Sequence, residues 1–534
     1  MYQPAELKSE EPLFWSPGRG TDVWAMFQAA IAGDVPTLER LVAADPALAR
    51  CHYEYRTPLA FAVKANQVEA ASYLFDLRPP SFGNPLEDAR ERGLSEMVAM
   101  FEGKHAALGV TPAGEEIAAA VRARDRQRVG ELLDASPESV HAGDRQTNRP
   151  IHWAVMTRQL DLIDELLARG ADIEAQRADG ARPIQLANGD YAYRGWRDVP
   201  EDVQATPRQV LDHLRARGAY VDICTASYIG DLERVRELLA QDASLANRPS
   251  DYVSYYACSG TPLPNAARGG HIDVVRLLLE HGADPNLPEE HIAPRGHALY
   301  SAVYNDHMEI ARLLLEKGAF PNVEVESSAD TLTIARSRGN REMIDLLVSY
   351  GAAQKPHLLA YEGDAVTAAA VFAANPSLAD DPPALANAAG RGSEALVRLM
   401  LRYVPDLPTR LGPDARGKTR EITELLIRHG MDVNRRSWMG VTPLHHCAEQ
   451  GDVLNAAIFI DRGADLDARD DDFQSTPLAW AARKGKTAMV ELLLARGARP
   501  NPGEGPFWTT PLAWASRRGH HQVVHVLRKA GARS

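Results

Sequence analysis

The sequence predicts an all-α solenoid of about sixteen helix-turn-helix units. Three observations lead to this prediction. Thr-Pro-Leu recurs in the C-terminal third at Thr442, Thr476 and Thr510, three starts that lie 34 residues apart. One glycine follows each threonine after nine residues, and a second follows it after twenty-one residues. The twenty-one-residue interval also recurs upstream, beginning at Arg149, Thr261, His297 and Asp330.

Each position of the unit has a physical role. Threonine before proline is a helix N-cap with proline at the first helical position, where its missing N–H is not needed. The first glycine, such as Gly451, allows the left-handed conformation that ends a helix. A second helix with apolar residues at helical spacing follows, as in "MVELLL" at 489–494. Small residues such as Ala481 and Ala482 let neighbouring units stack closely, because no single pair can bury its own apolar faces.

The T-P-L-H-x-A and G-A-D-x-N signature at a period of about 33 residues resembles the ankyrin repeat. Looser copies extend the pattern over nearly the whole chain and begin near Trp24, Thr57, Asn84, Glu115, Arg182, Val221, Gln354, Pro383 and Thr409. The resemblance implies a scaffold, adaptor or inhibitor that binds a protein partner through its concave face and finger loops. It favours a binding protein over an enzyme, and we expect no cofactor.

The expected organisation is a poorly ordered leader at 1–20 followed by the solenoid at 21–534. Four units end in a D-P-x-L-like turn, for example at 30–50 and 360–379. Duplication of a multi-repeat segment would account for these turns and predicts the sub-blocks 21–112, 113–220, 221–352 and 353–534. Independent drift of one common helix ending is the alternative.

Composition narrows the classes of partner. The chain is 45% hydrophobic and 25% charged, as expected for a globular protein, and its net charge is -13. This charge, together with the lack of a basic run, disfavours nucleic acid and anionic membranes as partners. The longest near-candidate for a membrane span, 366–374, is too short. Residues 1–20 lack a signal-peptide pattern, and the four cysteines show no paired spacing, so we expect a cytoplasmic protein with reduced, partly buried thiols.

Aromatic residues on irregular loops are the candidate partner-binding residues, because tyrosine and tryptophan dominate interface energetics. The unit from Arg182 to Gly218 carries an insertion of fifteen residues, and the loop 248–260 adds three more tyrosines. The predicted contact residues are Tyr191, Tyr193, Trp196, Tyr252, Tyr255, Tyr256, Trp438, Phe473, Phe507 and Trp508. The alternative is that these rings fix the loops onto their neighbours. Trp153, Trp480 and Trp514 follow the T-P-L-H position and are predicted to be core residues.

One motif suggests nucleotide binding. "GPDARGKT" at 412–419 matches the phosphate-loop pattern G-x-x-x-x-G-K-[ST], with Lys418 and Thr419 in the functional positions. Such a loop needs a preceding buried strand, whereas the residues before it resemble a helix and a proline-broken turn. We therefore interpret the match as a damaged first helix in the unit that begins at Thr409. Nucleotide binding is kept as an alternative that its surroundings disfavour.

A second alternative is an enzyme or small-molecule site in a groove lined by the loops at 188–297. Glu289, Glu290, His291 and His297 share one of these loops and could meet a metal ion, but they lack fixed ligand spacing, so we expect no metal. His152 and His445 occupy the T-P-L-H position. The resemblance implies that their imidazoles join adjacent loops by hydrogen bonds.

Overall fold

The computed structural model describes residues 1–79, 83–289, 292–293, 295–325, 329–353, 355–403, 411–503 and 506–533. In these residues the regular structure consists of helices, joined by turns and a few isolated β-bridges. Thirty of the helices are α-helices, numbered α1 to α30 in chain order. Most of them form successive antiparallel pairs, which confirms the predicted all-α solenoid of about sixteen units.

The first helices of the pairs mostly begin at a proline and are seven to thirteen residues long. They are α1 (Gly20–Ala32), α3 (Pro58–Lys64), α5 (Pro85–Glu91), α7 (Pro112–Arg122), α9 (Pro150–Met156), α12 (Ile223–Ile229), α14 (Pro262–Gly269), α16 (His297–Tyr304), α18 (Thr331–Ser337), α20 (Pro356–Glu362), α22 (Pro382–Arg391), α25 (Pro443–Gln450), α27 (Pro477–Arg483) and α29 (Pro511–Arg517). A short 3-10 helix, Pro183–Leu186, takes this place in one unit. Residues 411–419 form no helix in another.

The second helices follow, most of them after a tight turn. They are α2 (Val35–Ala44), α4 (Val68–Asp76), α6 (Ser95–Ala107), α8 (Arg126–Ala135), α10 (Leu160–Ala168), α11 (Pro207–Ala216), α13 (Leu232–Gln241), α15 (Ile272–Glu280), α17 (Met308–Glu316), α19 (Arg341–Ser349), α21 (Ala365–Ala374), α23 (Glu394–Tyr403), α24 (Arg420–Arg428), α26 (Val453–Asp461), α28 (Thr487–Ala495) and α30 (His521–Lys529). Gly451, at φ 79°, and Gly463, at φ 86°, end two of the helices in the left-handed conformation that the sequence predicts.

The chain divides into two compact units. The first unit consists of Met1–Ser9, Glu87–Leu94 and Gln354–Ser534, and the second unit consists of Glu10–Leu86 and Ser95–Ala353. In the first unit Leu7 is fully buried, and the backbone N–H of Tyr2 donates to the carbonyl oxygen of Trp438 at 3.1 Å. The poorly ordered leader at 1–20 and the four sub-blocks stay predictions.

First helices stack on first helices within each unit. In the second unit α12 packs on α14, α14 on α16 and α16 on α18, and in the first unit α25 packs on α27 and α27 on α29. Equivalent alanines on the second-unit helices, Ala226, Ala266, Ala302 and Ala335, are all at most 1% exposed. Because these side chains are small and buried, successive helix pairs approach closely and close a core that one pair could not form.

The two repeat histidines join neighbouring loops as the resemblance implies. Nδ1 of His445 accepts from the backbone N–H of Thr442 at 3.2 Å, so Nε2 carries the proton and donates to the carbonyl oxygen of Ser475 at 3.1 Å. His152 bonds in the same way to Arg149 and to the carbonyl oxygen of Ala175. Both rings are fully buried, and burial lowers the pKa of each to about 3. Each imidazole is therefore neutral in the folded protein.

This neutrality predicts a pH-dependent effect of His445→Gln. The unfolded state binds a proton at His445 below the ordinary histidine pKa of 6.5, and the folded state does not do so until about pH 3. The contribution of His445 to stability is thus present above pH 6.5 and is lost, by about 1.4 kcal/mol per pH unit, as the pH falls. Urea unfolding should show the variant as less stable at pH 7, with a gap that narrows by about 2 kcal/mol at pH 5.

The matched control is His281→Gln at the exposed end of α15. His281→Gln should change the free energy of unfolding at pH 7 by less than about 0.5 kcal/mol, because the His281 side chain is exposed. A gap between His445→Gln and the wild type that does not change with pH would contradict the neutral, buried imidazole.

Candidate functional site

The insert loop (188–207) has a defined backbone conformation that its own carboxylates fix. Oδ1 of Asp190 accepts from the backbone N–H groups of Ala192 at 2.9 Å and Tyr193 at 2.8 Å. Oδ2 of Asp198 accepts from the backbone N–H of Arg194 at 2.8 Å, and the Tyr193 hydroxyl donates to the carbonyl oxygen of Asp198 at 2.9 Å. These bonds replace the helix hydrogen bonds that the loop lacks.

A buried arginine ties the insert loop to the repeat before it. Nη1 of Arg177 lies 2.5 Å from Oδ2 of Asp190 and 2.9 Å from Oδ1 of Asn148, and Nη2 lies 2.6 Å from Oδ2 of Asp179. The ring of Tyr252 is 5.5 Å from the guanidinium carbon. Burial lowers the pKa of Arg177, but the charges of Asp179 and Asp190 and the hydrogen bond to Asp179 outweigh burial and leave the pKa raised. The charge is therefore held permanently at the base of the loop.

The tyrosine loop (248–260) is closed by hydrogen bonds to its own backbone. The N–H of Ser250 donates to the carbonyl oxygen of Gly260 at 2.8 Å, and the N–H of Gly260 donates to that of Tyr252 at 3.0 Å. Asn265, on α14, accepts from the N–H of Cys258 at 2.8 Å and donates to the carbonyl oxygen of Ser259 at 2.7 Å. An asparagine of the first helix thus positions the loop that precedes it.

Six rings connect the two loops with α16 and form what we name the aromatic row. Successive ring centroids are 5.5 Å apart for Tyr191 and Tyr256, 6.3 Å for Tyr256 and Tyr255, and 6.4 Å for Tyr255 and His297. The row continues along α16, at 6.4 Å from His297 to Tyr300 and 5.9 Å from Tyr300 to Tyr304. These spacings lie in the range of favourable ring pairs. The aromatic row consists of Tyr191, Tyr256, Tyr255, His297, Tyr300 and Tyr304.

The aromatic row is buried in its middle and open at its ends. Tyr256 and Tyr300 are buried, whereas Tyr191 is 56% and Tyr304 44% exposed. Trp196, in the same insert loop, is 73% exposed, and the guanidinium of Arg194 lies 5.9 Å from its ring. The buried rings fix the exposed ones, so the surface presents aromatic side chains that are already in place.

The predicted contact residues therefore fall into two groups. Tyr191 and Trp196 are exposed, and Tyr193 and Tyr255 are partly buried. Tyr252, Tyr256 and Trp438 are buried, at 5%, 8% and 4% exposure, in agreement with the packing alternative. A contact role for all ten of the predicted residues stays a prediction.

The remaining predicted rings belong to the first unit. Phe473 lies 5.5 Å from Trp480 and 5.8 Å from Trp514, and Trp508 lies 5.9 Å from Trp514. The side chain of Phe507 is outside the described part of the structure. Trp480 and Trp514 are buried, as is Trp153, which confirms the predicted core positions of these three tryptophans.

Glu289 and His297, two of the residues that could meet a metal ion, lie close together and bond directly to each other. Nδ1 of His297 bonds to Oε2 of Glu289, and Oε1 of Glu289 accepts from the backbone N–H of Thr261 at 2.6 Å. Burial raises the pKa of Glu289, but the charge of His297 and the hydrogen bonds from His297 and Thr261 outweigh it and leave the pKa lowered. Glu290 and His291 lie outside the described residues. Among the described residues no group of three histidine, cysteine or acidic side chains is arranged to hold a metal ion.

The segment 412–419, which matches the phosphate-loop pattern, is hydrogen-bonded to neighbouring parts of the chain. Its segment leads directly into α24, where Thr419 is the N-cap and accepts from the N–H of Ile422 at 3.4 Å. The N–H of Gly417 donates to Oγ1 of Thr423 at 2.9 Å, and the N–H of Lys418 donates to the carbonyl oxygen of Ala389 at 2.9 Å. A phosphate loop directs such groups at its ligand. Here they hold the segment against its neighbours, and the start of the unit at Thr409 lies outside the described residues.

Comparisons with known families agree with the geometry of the helix pairs. The family model described as "Ankyrin repeats (3 copies)" matches residues 223–325 and 456–534, and the one described as "Ankyrin repeat" matches residues 148–178 and 439–471. The chain is an ankyrin-repeat protein. Ankyrin repeats generally serve as modules for protein–protein interaction.

Two curated relatives share part of the chain. The ankyrin repeat protein nuc-2 of Neurospora crassa is 26% identical over 163 residues, which are 30% of this chain and 14% of that protein. The 2-5A-dependent ribonuclease of Mus musculus is 46% identical over 57 residues, which are 11% of this chain and 7% of that protein. The chain thus matches only a small share of either relative's length. Across the described residues, no helix has the length and apolar character needed to cross a bilayer.

Sequence reasoning missed four residues that define this site: Arg177, Asp190, Tyr300 and Tyr304. A signal for the last two was present, because Tyr300 occupies the histidine position of "HALYSAV" and Tyr304 follows four residues later, on the same helix face. Arg177 had no such signal, since its partners come from three different loops.

Arg177→Met should destabilise the protein strongly. Methionine fills a similar volume but leaves Asp190, Asp179 and Asn148 without their buried cation, a loss of about 3 to 5 kcal/mol. Arg197→Met is the control, because Arg197 is exposed and pairs with Asp198 on the same loop, so it should cost less than about 1 kcal/mol. Urea unfolding measures both. Equal, small losses would show that Arg177 does not anchor the loop.

The segment 411–419 should be cleaved by trypsin before the helices beside it. It contains Arg416 and Lys418 and has no helix of its own, so local opening exposes its peptide bonds at small cost. Limited digestion followed by mass spectrometry should show early cleavage after these residues, and after Lys484, between α27 and α28, only later. First cleavage at Lys484 would contradict a lower local stability of the segment 411–419.

Proposed function

We propose that this protein binds a protein partner, as a scaffold, adaptor or inhibitor, through the insert loop and the exposed ends of the aromatic row. The observation that carries the proposal is the exposure of Tyr191 and Trp196 on a loop whose base is fixed by the buried Arg177 and Asp190 pair. Large exposed aromatic rings are costly to solubility unless they are used. A rigid loop makes these rings suitable for binding, because a partner then contacts a surface that is already ordered and less conformational entropy is lost.

The surface around the aromatic row also carries arginines, which favour a negatively charged partner. The chain carries a net charge of -13, yet arginines lie over the rings of this site, Arg194 at 5.9 Å from Trp196, Arg268 at 5.1 Å from Tyr255 and Arg338 at 4.9 Å from Tyr304. Arginine and aromatic side chains are the types that contribute most to binding energy. The fitting partner segment combines apolar side chains with carboxylates.

An enzymatic or small-molecule site in the groove of 188–297 is a second candidate with one observation in its favour. The Glu289 and His297 pair has the arrangement of a carboxylate that orients a general base, and Nε2 of His297 has no hydrogen-bond partner among the described residues. However, His297 is only 4% exposed, so a substrate could reach Nε2 only after the loop had moved. The exposed aromatic surface therefore supports binding better than catalysis.

A cytoplasmic location fits the thiol chemistry. Cys51, Cys224, Cys258 and Cys447 are all free and buried, and burial raises the pKa of the Cys447 thiol to about 12. Unpaired, unreactive thiols are usual in a reducing compartment. We therefore propose that the protein is cytoplasmic.

The test compares the proteins that copurify with two double variants. Tyr191→Ser with Trp196→Ser removes the exposed rings of the insert loop and should reduce the captured partner by about tenfold or more. Tyr350→Ser with Tyr403→Ser is the matched control, because these tyrosines are 42% and 37% exposed at the ends of second helices. The control should capture the partner as the wild type does. Equal capture by both double variants, at unchanged melting temperature, would contradict the proposal.

A further inference from the structure

A short segment from the N-terminal part of the sequence docks on the finger loops of the last repeats. Arg92 is only 7% exposed, and its Nη2 donates to the carbonyl oxygen of Asp472 at 3.0 Å across 380 residues of sequence. Its guanidinium carbon lies 5.0 Å from the ring centroid of Trp508 and 5.8 Å from that of Phe473. The arginine thus enters an aromatic site that also offers a backbone acceptor.

Glu91, the residue before Arg92, is bound by three arginines of the last repeats. Oε2 of Glu91 lies 3.6 Å from Nη2 of Arg483, Oε1 bonds to Arg518, and the carbonyl oxygen of Glu91 accepts from Arg517. The Glu91 side chain is 19% exposed. One carboxylate is therefore recognised by two arginines, with a third arginine on the adjacent backbone.

The receiving arginines are themselves held by tryptophan and phenylalanine. Arg483 lies 4.2 Å from the ring centroid of Phe473 and 5.1 Å from that of Trp514, and Arg517 lies 4.4 Å from that of Trp514. Burial lowers the pKa of Arg517. Such layers of arginine and aromatic rings are typical of the energetic centres of protein interfaces. Phe473, Arg483, Trp508, Trp514, Arg517 and Arg518 together are named the Glu-Arg site.

The docked segment has a self-contained shape that a separate peptide could adopt. Glu91 is the last residue of α5, and the N–H of Arg92 continues the helix by donating to the carbonyl oxygen of Asp88 at 3.2 Å. Gly93, at φ 70°, ends it, and the N–H of Leu94 donates to the carbonyl oxygen of Ala89 at 3.0 Å. This is a glycine-terminated helix end, closed by its own hydrogen bonds.

We propose that the Glu-Arg site is an exchangeable receptor for a helix end that carries glutamate followed by arginine. Residues 87–94 occupy it in the free chain, and a partner protein with a segment of the same chemistry competes for it. The covalent link gives the internal segment an effective concentration in the millimolar range, so the chain's own segment limits access to the site. The Glu-Arg site and the aromatic row share no residue, and the test of the Glu-Arg site does not involve Tyr191 or Trp196.

The test uses the full-length chain and a fluorescein-labelled peptide of residues 84–95, NPLEDARERGLS. Fluorescence anisotropy should show weak binding to the wild type. It should show at least about tenfold tighter binding to the double variant Glu91→Ala with Arg92→Ala, whose own segment no longer fills the site. The peptide with alanine in place of Arg92 should bind that double variant about tenfold more weakly than the parent peptide.

Matched variants test whether the change in peptide affinity comes from Arg92 and the site that binds it. Arg90→Ala is the control in the chain, because Arg90 pairs with Glu87 on the same helix at 2.7 Å, and this variant should bind the peptide as weakly as the wild type. Arg92→Lys keeps the charge but loses the planar guanidinium, so it should give intermediate binding even if the double variant folds poorly. Trp508→Ser in the Arg92→Lys background should abolish the gain.

Three outcomes would overturn the proposal. Equal peptide affinity for the wild type, the double variant and Arg92→Lys would show that residues 87–94 do not limit access. Equal binding of the parent and Arg92-substituted peptides would show that the arginine is not recognised. A wild-type chain that elutes as a dimer dissociated by the peptide would show that a second copy fills the site.

Discussion

The structure depends on one constraint, which is that a single pair of short helices cannot bury its own apolar faces. Each pair therefore relies on its neighbours, and the small side chains of Ala226, Ala266 and Ala302 bring those neighbours close. Stacking places the first helices and the loops before them at regular intervals. The contacts between helices do not require loops of one fixed length, so the loops can vary in length and sequence without loss of the helical core.

Buried polar side chains then decide which loops are rigid. Asp190, Arg177, Asn265 and Glu289 bind backbone groups or charges of loops that have no regular structure. Unpaired, each of these groups would be costly in a buried position, so each loop has one well-satisfied arrangement. Because these buried polar side chains hold the loops, the aromatic rings that the loops carry are fixed in position. The Glu-Arg site follows the same principle, with arginines placed by the rings of Phe473 and Trp514.

The periodic part of this structure was predictable from the sequence, and the rest was not. Thr476, Pro477 and Gly485 repeat at a fixed spacing, and local physical chemistry gives each of them one role. The repeat pattern does not identify Arg177 and Arg92, because each of them binds another loop: Arg177 binds Asn148, 29 residues away, and Arg92 binds Asp472, 380 residues away. The burial of Trp438, which sequence analysis grouped with the contact residues, likewise depends on neighbouring chain that has no local signal.

The central claim is that the finger loops of the second unit are ordered before any partner arrives. Hydrogen–deuterium exchange of the free protein tests this claim most directly, at the amides of Tyr193, Arg194 and Gly260, which donate to acceptors within their own loops. The account predicts that these amides exchange at least about a hundredfold more slowly than an unstructured peptide, because each must first break a buried or half-buried hydrogen bond. Exchange of all three amides at the rate of an unstructured chain would contradict it.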